Sequence, residues 1–125
     1  MLTECIGEGV ALNGKSYPCT VSLTMDLVGG KWKAVILYHL LHGEKRFSEL
    51  CRDMSAVTEM TLSKLLKQLE ADGMVSRKVF GKKPPVKVVY TLTEFGQSFI
   101  PVLNAITEWG KQVAINKGSF IKSNP

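Results

Sequence analysis

Three cysteines and two histidines are the side chains of this 125-residue sequence best suited to covalent chemistry. A cysteine thiolate paired with a histidine base is a common arrangement in thiol enzymes. Here Cys19 or Cys51 would be the nucleophile, and His39 or His42 would be the base. No carboxylate to orient such a histidine and no oxyanion loop is evident from the sequence, so we do not expect an enzyme.

The same residues lack the spacing of a metal site. Cys5, Cys19 and Cys51 contain no CxxC pair, and the histidines form no convincing ligand set with them. We therefore expect neither a structural metal nor a cofactor. In a reducing cytosol these cysteines begin as thiols, so a disulfide would be a response to oxidation and not a permanent crosslink.

Positive charge is concentrated in one short segment of the chain. The formal net charge is +5, and residues 73–93 carry five basic and no acidic side chains. Lysine and arginine at this density can neutralise phosphates, although a solvated basic hairpin is the alternative interpretation. The five candidate phosphate-binding residues are Arg77, Lys78, Lys82, Lys83 and Lys87.

A second set of polar residues accompanies a predicted helix just before the basic segment. Leu62, Leu65, Leu66 and Leu69 recur at helical spacing, so one side of this helix is predicted to face the core. Polar and cationic side chains on the other side can hydrogen-bond base edges or phosphates, whereas a plain solvated face is the alternative. The candidate DNA-binding residues in and before this helix are Ser48, Thr58, Thr61, Ser63, Lys64, Lys67 and Gln68.

The elements that must position these residues can be predicted from periodicity, caps and glycines. Ser48 is expected to cap the third helix, and Thr58 the fourth after a three-residue turn. The predicted helices run from Val21 to Gly29, from Lys31 to Leu41, from Ser48 to Met54 and from Thr58 to Gly73.

Two β-rich runs follow, Met74–Phe80 and Val86–Thr91, and they predict a hairpin with a cationic tip. Pro84 and Pro85 stiffen that tip, which lowers the entropy cost of presenting it to a ligand. The basic residues would then stand at the end of a two-stranded ribbon.

A last helix is predicted after Thr91 or Thr93, either of which can cap it. Its apolar residues form a broad stripe, which we expect to be broken or kinked near Pro101. A domain of this size can hardly cover both this stripe and its own core, so a second copy of the chain is the expected partner. The alternative is that the last helix folds onto its own domain.

Together these elements predict one α+β, mainly α, domain: a winged helix-turn-helix with a two-stranded wing and terminal helices that form a dimer interface. A dimer would place two recognition helices about one DNA turn apart, which suits a palindromic operator on double-stranded DNA. RNA is less expected because no aromatic stacking platform is evident. With no apolar run long enough to span a bilayer and no secretory signal, we expect a cytoplasmic protein without a membrane partner.

Several motifs in order resemble the HxlR-type family of bacterial winged-helix transcription regulators, which is close to the MarR-like regulators. The resemblance covers roughly residues 18–115. It is carried by Cys19, Leu27–Trp32, Arg46–Leu50, Leu62–Arg77, Pro84–Gly96 and Trp109.

The resemblance implies a homodimer built from terminal helices, with the Thr58–Ala71 helix in the major groove and the Arg77–Lys87 wing on the DNA backbone or minor groove. Residues 18–115 would be the DNA-binding domain with its C-terminal dimerisation helix. Residues 1–17 would be a flexible arm, and residues 116–125 a tail.

The resemblance also implies redox sensing at Cys19, because members of the family often respond to electrophiles or oxidants through a cysteine just before the first core helix. Here Pro18 precedes the cysteine and Thr20 follows it, whereas the family commonly has proline after it. A helix N-terminus lowers a thiol pKa, which makes sensing chemically plausible. The alternative is a buried packing residue. Cys51 can in principle pair with Cys19 of another subunit, although core packing is the simpler interpretation.

The predicted function is a sequence-specific DNA-binding transcriptional regulator that acts as a homodimer and is switched by thiol oxidation or electrophiles at Cys19. Two alternatives stay open. One is a winged-helix adaptor for protein partners. The other is a regulator controlled by a small molecule at the dimer interface, without redox sensing.

Overall fold

The computed structural model describes residues 9–121. Within them, short strands flank a set of helices, and a longer hairpin precedes the terminal helices. The elements are β1 (Val10–Leu12), β2 (Lys15–Tyr17), α1 (Thr20–Val28), α2 (Lys33–His39), β3 (Lys45–Arg46), α3 (Phe47–Asp53), α4 (Glu59–Ala71), β4 (Val75–Phe80), β5 (Lys87–Leu92), α5 (Glu94–Gln97) and α6 (Ile100–Asn116).

Strands β1 and β2 form a hairpin that the sequence analysis did not predict. Asn13 and Gly14 at its turn have φ values of 51° and 79°, the pair of positive angles that an Asn-Gly turn supports. The Tyr17 hydroxyl donates a hydrogen bond to the Asp26 carboxylate on α1, and this bond raises the pKa of Tyr17 to about 12. Part of the arm predicted over residues 1–17 is therefore a hairpin attached to α1, and residues 1–8 lie outside the described residues.

Helices α1 and α2 are joined at a glycine pair, as expected. Gly29 donates its N–H to the Met25 carbonyl at 2.9 Å, and Gly30, with φ 82°, turns the chain toward α2. Helix α2 is two residues shorter at each end than predicted. Trp32 is its N-cap, and Leu40 has already left helical geometry with φ −92° and ψ 1°.

Helices α3 and α4 form the predicted helix-turn-helix, with one correction to a cap. Arg46, not Ser48, is the N-cap of α3, and the Glu49 carboxylate accepts a hydrogen bond from the Arg46 N–H at 2.8 Å. Thr58 is confirmed as the N-cap of α4, since its hydroxyl oxygen accepts from the Thr61 N–H at 3.1 Å.

The wing is the antiparallel hairpin of β4 and β5, in which Arg77 lies opposite Tyr90. Strand β3 adds two residues on the other side of β5 and was not predicted, so the sheet is three-stranded in the order β3-β5-β4. Val75 at the start of β4 is buried, whereas both strands are exposed near the tip. The wing therefore projects from the core.

Thr93 ties the end of the sheet to the terminal helices. It is the N-cap of α5, where its hydroxyl oxygen accepts from the Gly96 N–H at 2.9 Å, and it donates to the Gly73 carbonyl. The terminal segment is split into α5 and α6, which confirms the predicted break. Pro101 lies in the first turn of α6, where a missing N–H costs no helical hydrogen bond.

The core lies between α2, α3, α4 and the buried end of the wing. Within the described residues, no helix is both long and apolar enough to cross a membrane. The largest fully buried side chains are Ile36, Leu37, Leu40, Leu50, Leu62, Leu66, Leu69 and Val75.

Candidate nucleic-acid interface

Helix α4 has the two contrasting sides that its sequence predicts. Leu62, Leu66 and Leu69 are fully buried, so the register of the helix on the core is fixed. The predicted contact residues are on or beside the opposite side: Thr58, Thr61, Lys64, Lys67 and Gln68 are exposed, and Ser63 is half-buried.

Thr58 and Thr61 are hydrogen-bonded to each other at the start of α4. The Thr58 hydroxyl donates to the Thr61 hydroxyl at 3.0 Å while it also accepts from the Thr61 N–H. The hydrogen of the Thr61 hydroxyl has no acceptor among the described residues. Thr58 therefore acts mainly as a cap, and Thr61 retains a donor that can bind an outside acceptor.

A groove of about 470 Å³ separates α4 from the wing. Ser63 and Lys67 line it from α4, one helical turn apart, and Arg77 lines it from β4. Aromatic side chains form part of its wall, and Glu70 contributes the one carboxylate among its lining residues. Two cations and a hydroxyl in such a groove can bind an anionic oxygen such as that of a phosphate.

The five basic residues of the wing are not all on one surface. Arg77 faces the groove together with Val88 and Tyr90. Because neighbouring strand residues point to opposite sides, Lys78 lies on the other face. The Lys87 ammonium also lies there, over the Phe80 ring at 5.6 Å from its centroid. Lys82 and Lys83 are at the exposed tip.

The cations of α4 and the wing have no carboxylate partners among the described residues. The ion pairs found there are Lys15–Asp26, Arg52–Asp53 and Lys111–Glu108, all distant in sequence from the wing. The positive charges of α4 and the wing are therefore not neutralised by ion pairs among the described residues. A surface of this kind attracts polyanions and releases their counterions on binding.

Ser48 is exposed in the first turn of α3. It does not line the groove between α4 and the wing. As it is not the cap of α3, its hydroxyl is available to a ligand that lies along the outer side of the helix-turn-helix.

Cys19 is the N-cap of α1, the position expected from the sequence. Its side chain is buried, with 2% of its surface exposed, and it is disulfide-bonded. The half-cystine therefore lies where the β1–β2 hairpin joins the first core helix.

Cys51 is a free thiol that is partly buried beneath α4. Its sulfur donates to the Glu59 carboxylate at 3.7 Å. Burial, followed by the negative charge of Glu59, raises the pKa of this thiol. Cys51 is thus a weaker nucleophile than an ordinary cysteine at neutral pH.

The model of the family described as HxlR-like helix-turn-helix matches residues 27–117. That stretch contains α2 to α6 and most of the surface described above. The chain belongs to this family.

Individual relatives agree with the HxlR-like assignment. The HTH-type transcriptional regulator YybR of Bacillus subtilis strain 168 is 45% identical over 93 residues, which are 74% of this chain and 74% of YybR. The crystal structure of the HTH-type regulator YtcD, also a B. subtilis protein, has a TM-score of 0.72 and 45% identity over 78% of this chain and 98% of that one. The structure of the redox regulator HypR in its reduced form has a TM-score of 0.70 and 43% identity, and the match covers 74% of this chain and 91% of that of HypR.

Membership of the HxlR-like family confirms the winged helix-turn-helix and, with it, a DNA-binding transcription regulator. Two residues of the candidate interface were not predicted from the sequence. Met60 is 83% exposed on α4, and Glu70 lines the groove. Met60 could have been found because it is the one large apolar residue of this helix that lies off the leucine stripe.

Proposed function

We propose that this protein is a sequence-specific regulator that binds a palindromic operator as a homodimer, with oxidation at Cys19 changing its affinity for DNA. The observation that carries the DNA-binding part is the surface of α4 and the wing. Its polar side chains can read base edges, and its cations lack carboxylate partners within the described part of the chain.

The proposed contacts follow from where each residue lies. Thr61, Lys64 and Gln68 are on the exposed side of α4 and would reach bases or phosphates in the major groove. Ser63, Lys67 and Arg77 would hold a backbone phosphate in the groove between α4 and the wing. Ser48, in the first turn of α3, and Thr58, at the start of α4, would contact the DNA outside that groove. Contacts of the wing to phosphate or the minor groove would come from Lys78, Lys82, Lys83 and Lys87.

Dimerisation is supported by an uncovered apolar face on α6. Val102, Ile106, Trp109 and Val113 are 46%, 45%, 72% and 38% exposed, and their spacing puts them on one side of the helix. Leu103 is the one residue of α6 that is buried in the protomer. A second copy of the chain would cover this face and set the spacing of two α4 helices.

Redox control is supported by the position of Cys19 and by the likeness to HypR, a redox regulator with structures of reduced and oxidised forms. The oxidised state of Cys19 is compatible with this fold, since the residue is disulfide-bonded here. Two-electron oxidation of two thiols to a disulfide, by an oxidant that accepts the two electrons, would constrain the start of α1, a helix whose second half lines a cleft with the terminal helices. A shift there would change the spacing of the two recognition helices.

Control by a bulky ligand has less support. An apolar cleft of about 230 Å³ lies between α1 and the terminal helices, lined by Leu27, Phe95 and Phe99 among others. Sites for drug-sized ligands are typically about 300–1,000 Å³. This cleft is therefore small for such an effector, and thiol chemistry is the better-supported switch.

The first experiment is selection of duplexes from a random library, followed by fluorescence anisotropy with reduced and oxidised protein. Specific binding that changes on oxidation in the wild type, and not in Cys19→Ser, is expected. Specific binding that ignores oxidant would remove the switch and retain the regulator. Selection of no DNA sequence would remove the sequence-specific regulator and favour the protein-interaction adaptor.

The electrostatic part can be tested separately through salt dependence. The double variant Lys82→Gln/Lys83→Gln should lower the slope of log affinity against log salt by roughly 0.9 for each phosphate that the tip no longer neutralises. Lys111→Gln/Lys117→Gln, which removes the same charge from the end of α6, is the matched control and should keep the slope. Equal slopes for both variants would exclude the tip from phosphate binding.

A further inference from the structure

Met60 is a large apolar side chain in an unexpected place. It is 83% exposed, although the leucines of the same helix are buried or half-buried. Methionine is a good helix former, but an apolar side chain that is this exposed contributes no burial free energy to the fold. The core therefore does not explain the choice of an apolar residue at this position.

The side of α4 on which Met60 lies is the outward one. Lys64 and Lys67 follow it by four and seven residues, so the three side chains share one face. That face is opposite Leu62 and Leu69, which are fully buried. Met60 is thus central to the exposed side, near the N-terminal end, where recognition helices contact base edges.

The neighbouring carboxylate does not occupy this surface. Glu59 is directed toward Cys51, with its oxygen 3.7 Å from the sulfur. Thr61, on the other side of Met60, accepts a hydrogen bond from the Thr58 hydroxyl at the start of the helix and keeps only its own hydroxyl hydrogen for an outside acceptor. Met60 is therefore the first residue of α4 to extend freely on the outward side.

In the major groove, the edge of a base pair presents hydrogen-bonding groups and, at thymine alone, an apolar C5-methyl group. A flexible, polarisable thioether adapts well to a small apolar contact. Resting on the DNA-binding function proposed above, we propose that Met60 contacts the C5-methyl of a thymine and so determines sequence specificity. The flanking lysines would bind phosphates or base acceptors while Met60 selects the methyl.

Uracil tests this contact directly, because it differs from thymine only by the C5-methyl group. Each thymine of a duplex selected by the wild-type protein is replaced in turn by deoxyuridine, and dissociation constants are measured by anisotropy. At one position in each half-site, removal of the methyl should weaken wild-type binding about threefold to fourfold, the value of one buried methyl group.

Two variants of Met60 test whether this side chain is the one that contacts the methyl group. Met60→Ala should bind thymine and uracil duplexes equally at that position, whereas Met60→Leu should retain a preference for thymine. A uracil penalty that persists in Met60→Ala, or no penalty at any position for the wild type, would overturn the proposal while leaving DNA binding intact. If the wild type selects no sequence at all, the proposed function itself fails.

Discussion

At the residue scale, burial and the carboxylate of Glu59 together raise the pKa of the Cys51 thiol. Burial contributes most to the raised pKa of Cys51, and the charge of Glu59 and its hydrogen bond add to it. A raised thiol pKa lowers the thiolate fraction at neutral pH, and the thiolate is the reactive form. Cys51 should therefore be oxidised more slowly than an ordinary thiol, whereas a sensing thiol has a lowered pKa and a larger thiolate fraction.

We expect Glu59→Gln to speed alkylation of Cys51 at pH 8. The substitution removes the charge but keeps the size, so the pKa of the thiol should fall while staying above its ordinary value because burial persists. Peptide-level mass spectrometry after iodoacetamide pulses, repeated across pH, would measure this.

The limiting alkylation rate at high pH should be the same in both proteins, because both thiols are then ionised. Glu108→Gln is a control carboxylate substitution on another element, α6; Glu108 does not contribute to the raised pKa of Cys51, so the profile should be unchanged. An unchanged profile in Glu59→Gln would mean that the carboxylate does not act on Cys51.

At the element scale, α5 lies against the start of the wing without room for a side chain at Gly96. A Cβ built there would be 2.0 Å from the Met74 carbonyl oxygen and 3.1 Å from its carbon. Backbone cannot yield as the end of a flexible side chain can. The contact between α5 and β4 thus requires glycine.

Gly96→Ala should lower the free energy of unfolding by about 1–3 kcal/mol, the usual cost of overpacking. Gly118→Ala is the matched control, since its Cβ would be in ordinary contact at 3.7 Å, and it should stay within about 0.5 kcal/mol. Urea midpoints at equal protein concentration would compare them. Equal midpoints for the two variants would show that α5 can move away from β4 at little cost.

Features that depend on a few neighbouring residues, such as helix caps, could be predicted from the sequence. Thr58 was predicted as a cap because threonine precedes an apolar period, and the helix-turn-helix followed from it. Strand β3 could not be predicted, since two residues carry no periodicity and their strand geometry depends on pairing with β5. The β1–β2 hairpin was missed although Asn13-Gly14 is a strong turn signal.

The candidate interface was predictable in part for the same reason. The leucine stripe fixes which side of α4 is exposed, so Lys64 and Gln68 could be assigned to that exposed side from their spacing along the helix. Arg77 and Lys78 point to opposite faces by strand alternation alone. The face on which Lys87 lies relative to them depends on the register of β4 against β5, which the sequence does not state. The cap of α3 was misassigned because Ser48 is a common capping residue, whereas Arg46 is not.

At the scale of the whole molecule, the basic surface and the uncovered apolar face of α6 lie on different elements. The cations of α4 and the wing lie on one part of the chain, and the uncovered apolar residues of α6 lie on another. Trp109 is the most exposed large apolar residue of that helix, at 72%. This separation would allow two protomers to associate without covering the DNA-binding surface.

Trp109→Lys should turn a dimer into a monomer of about 13.8 kDa, because a charge would be buried in an apolar interface. Asn104→Lys adds the same charge on the other side of α6, by helical spacing, and should remain dimeric. Sedimentation equilibrium at micromolar concentration would decide. Wild-type protein that is monomeric while bound to operator, or a Trp109→Lys dimer as strong as wild type, would contradict this interface.

The projecting tip of the wing has a consequence for proteolysis. Both strands are exposed on both faces near Gly81–Pro85, so local opening there costs little of the stability of the core. Of the two lysine bonds at the tip, the one after Lys83 is followed by proline and resists trypsin, which leaves the bond between Lys82 and Lys83. Limited trypsin should therefore cut the folded protein first at this one bond, and bound DNA that covers the tip should slow the cut.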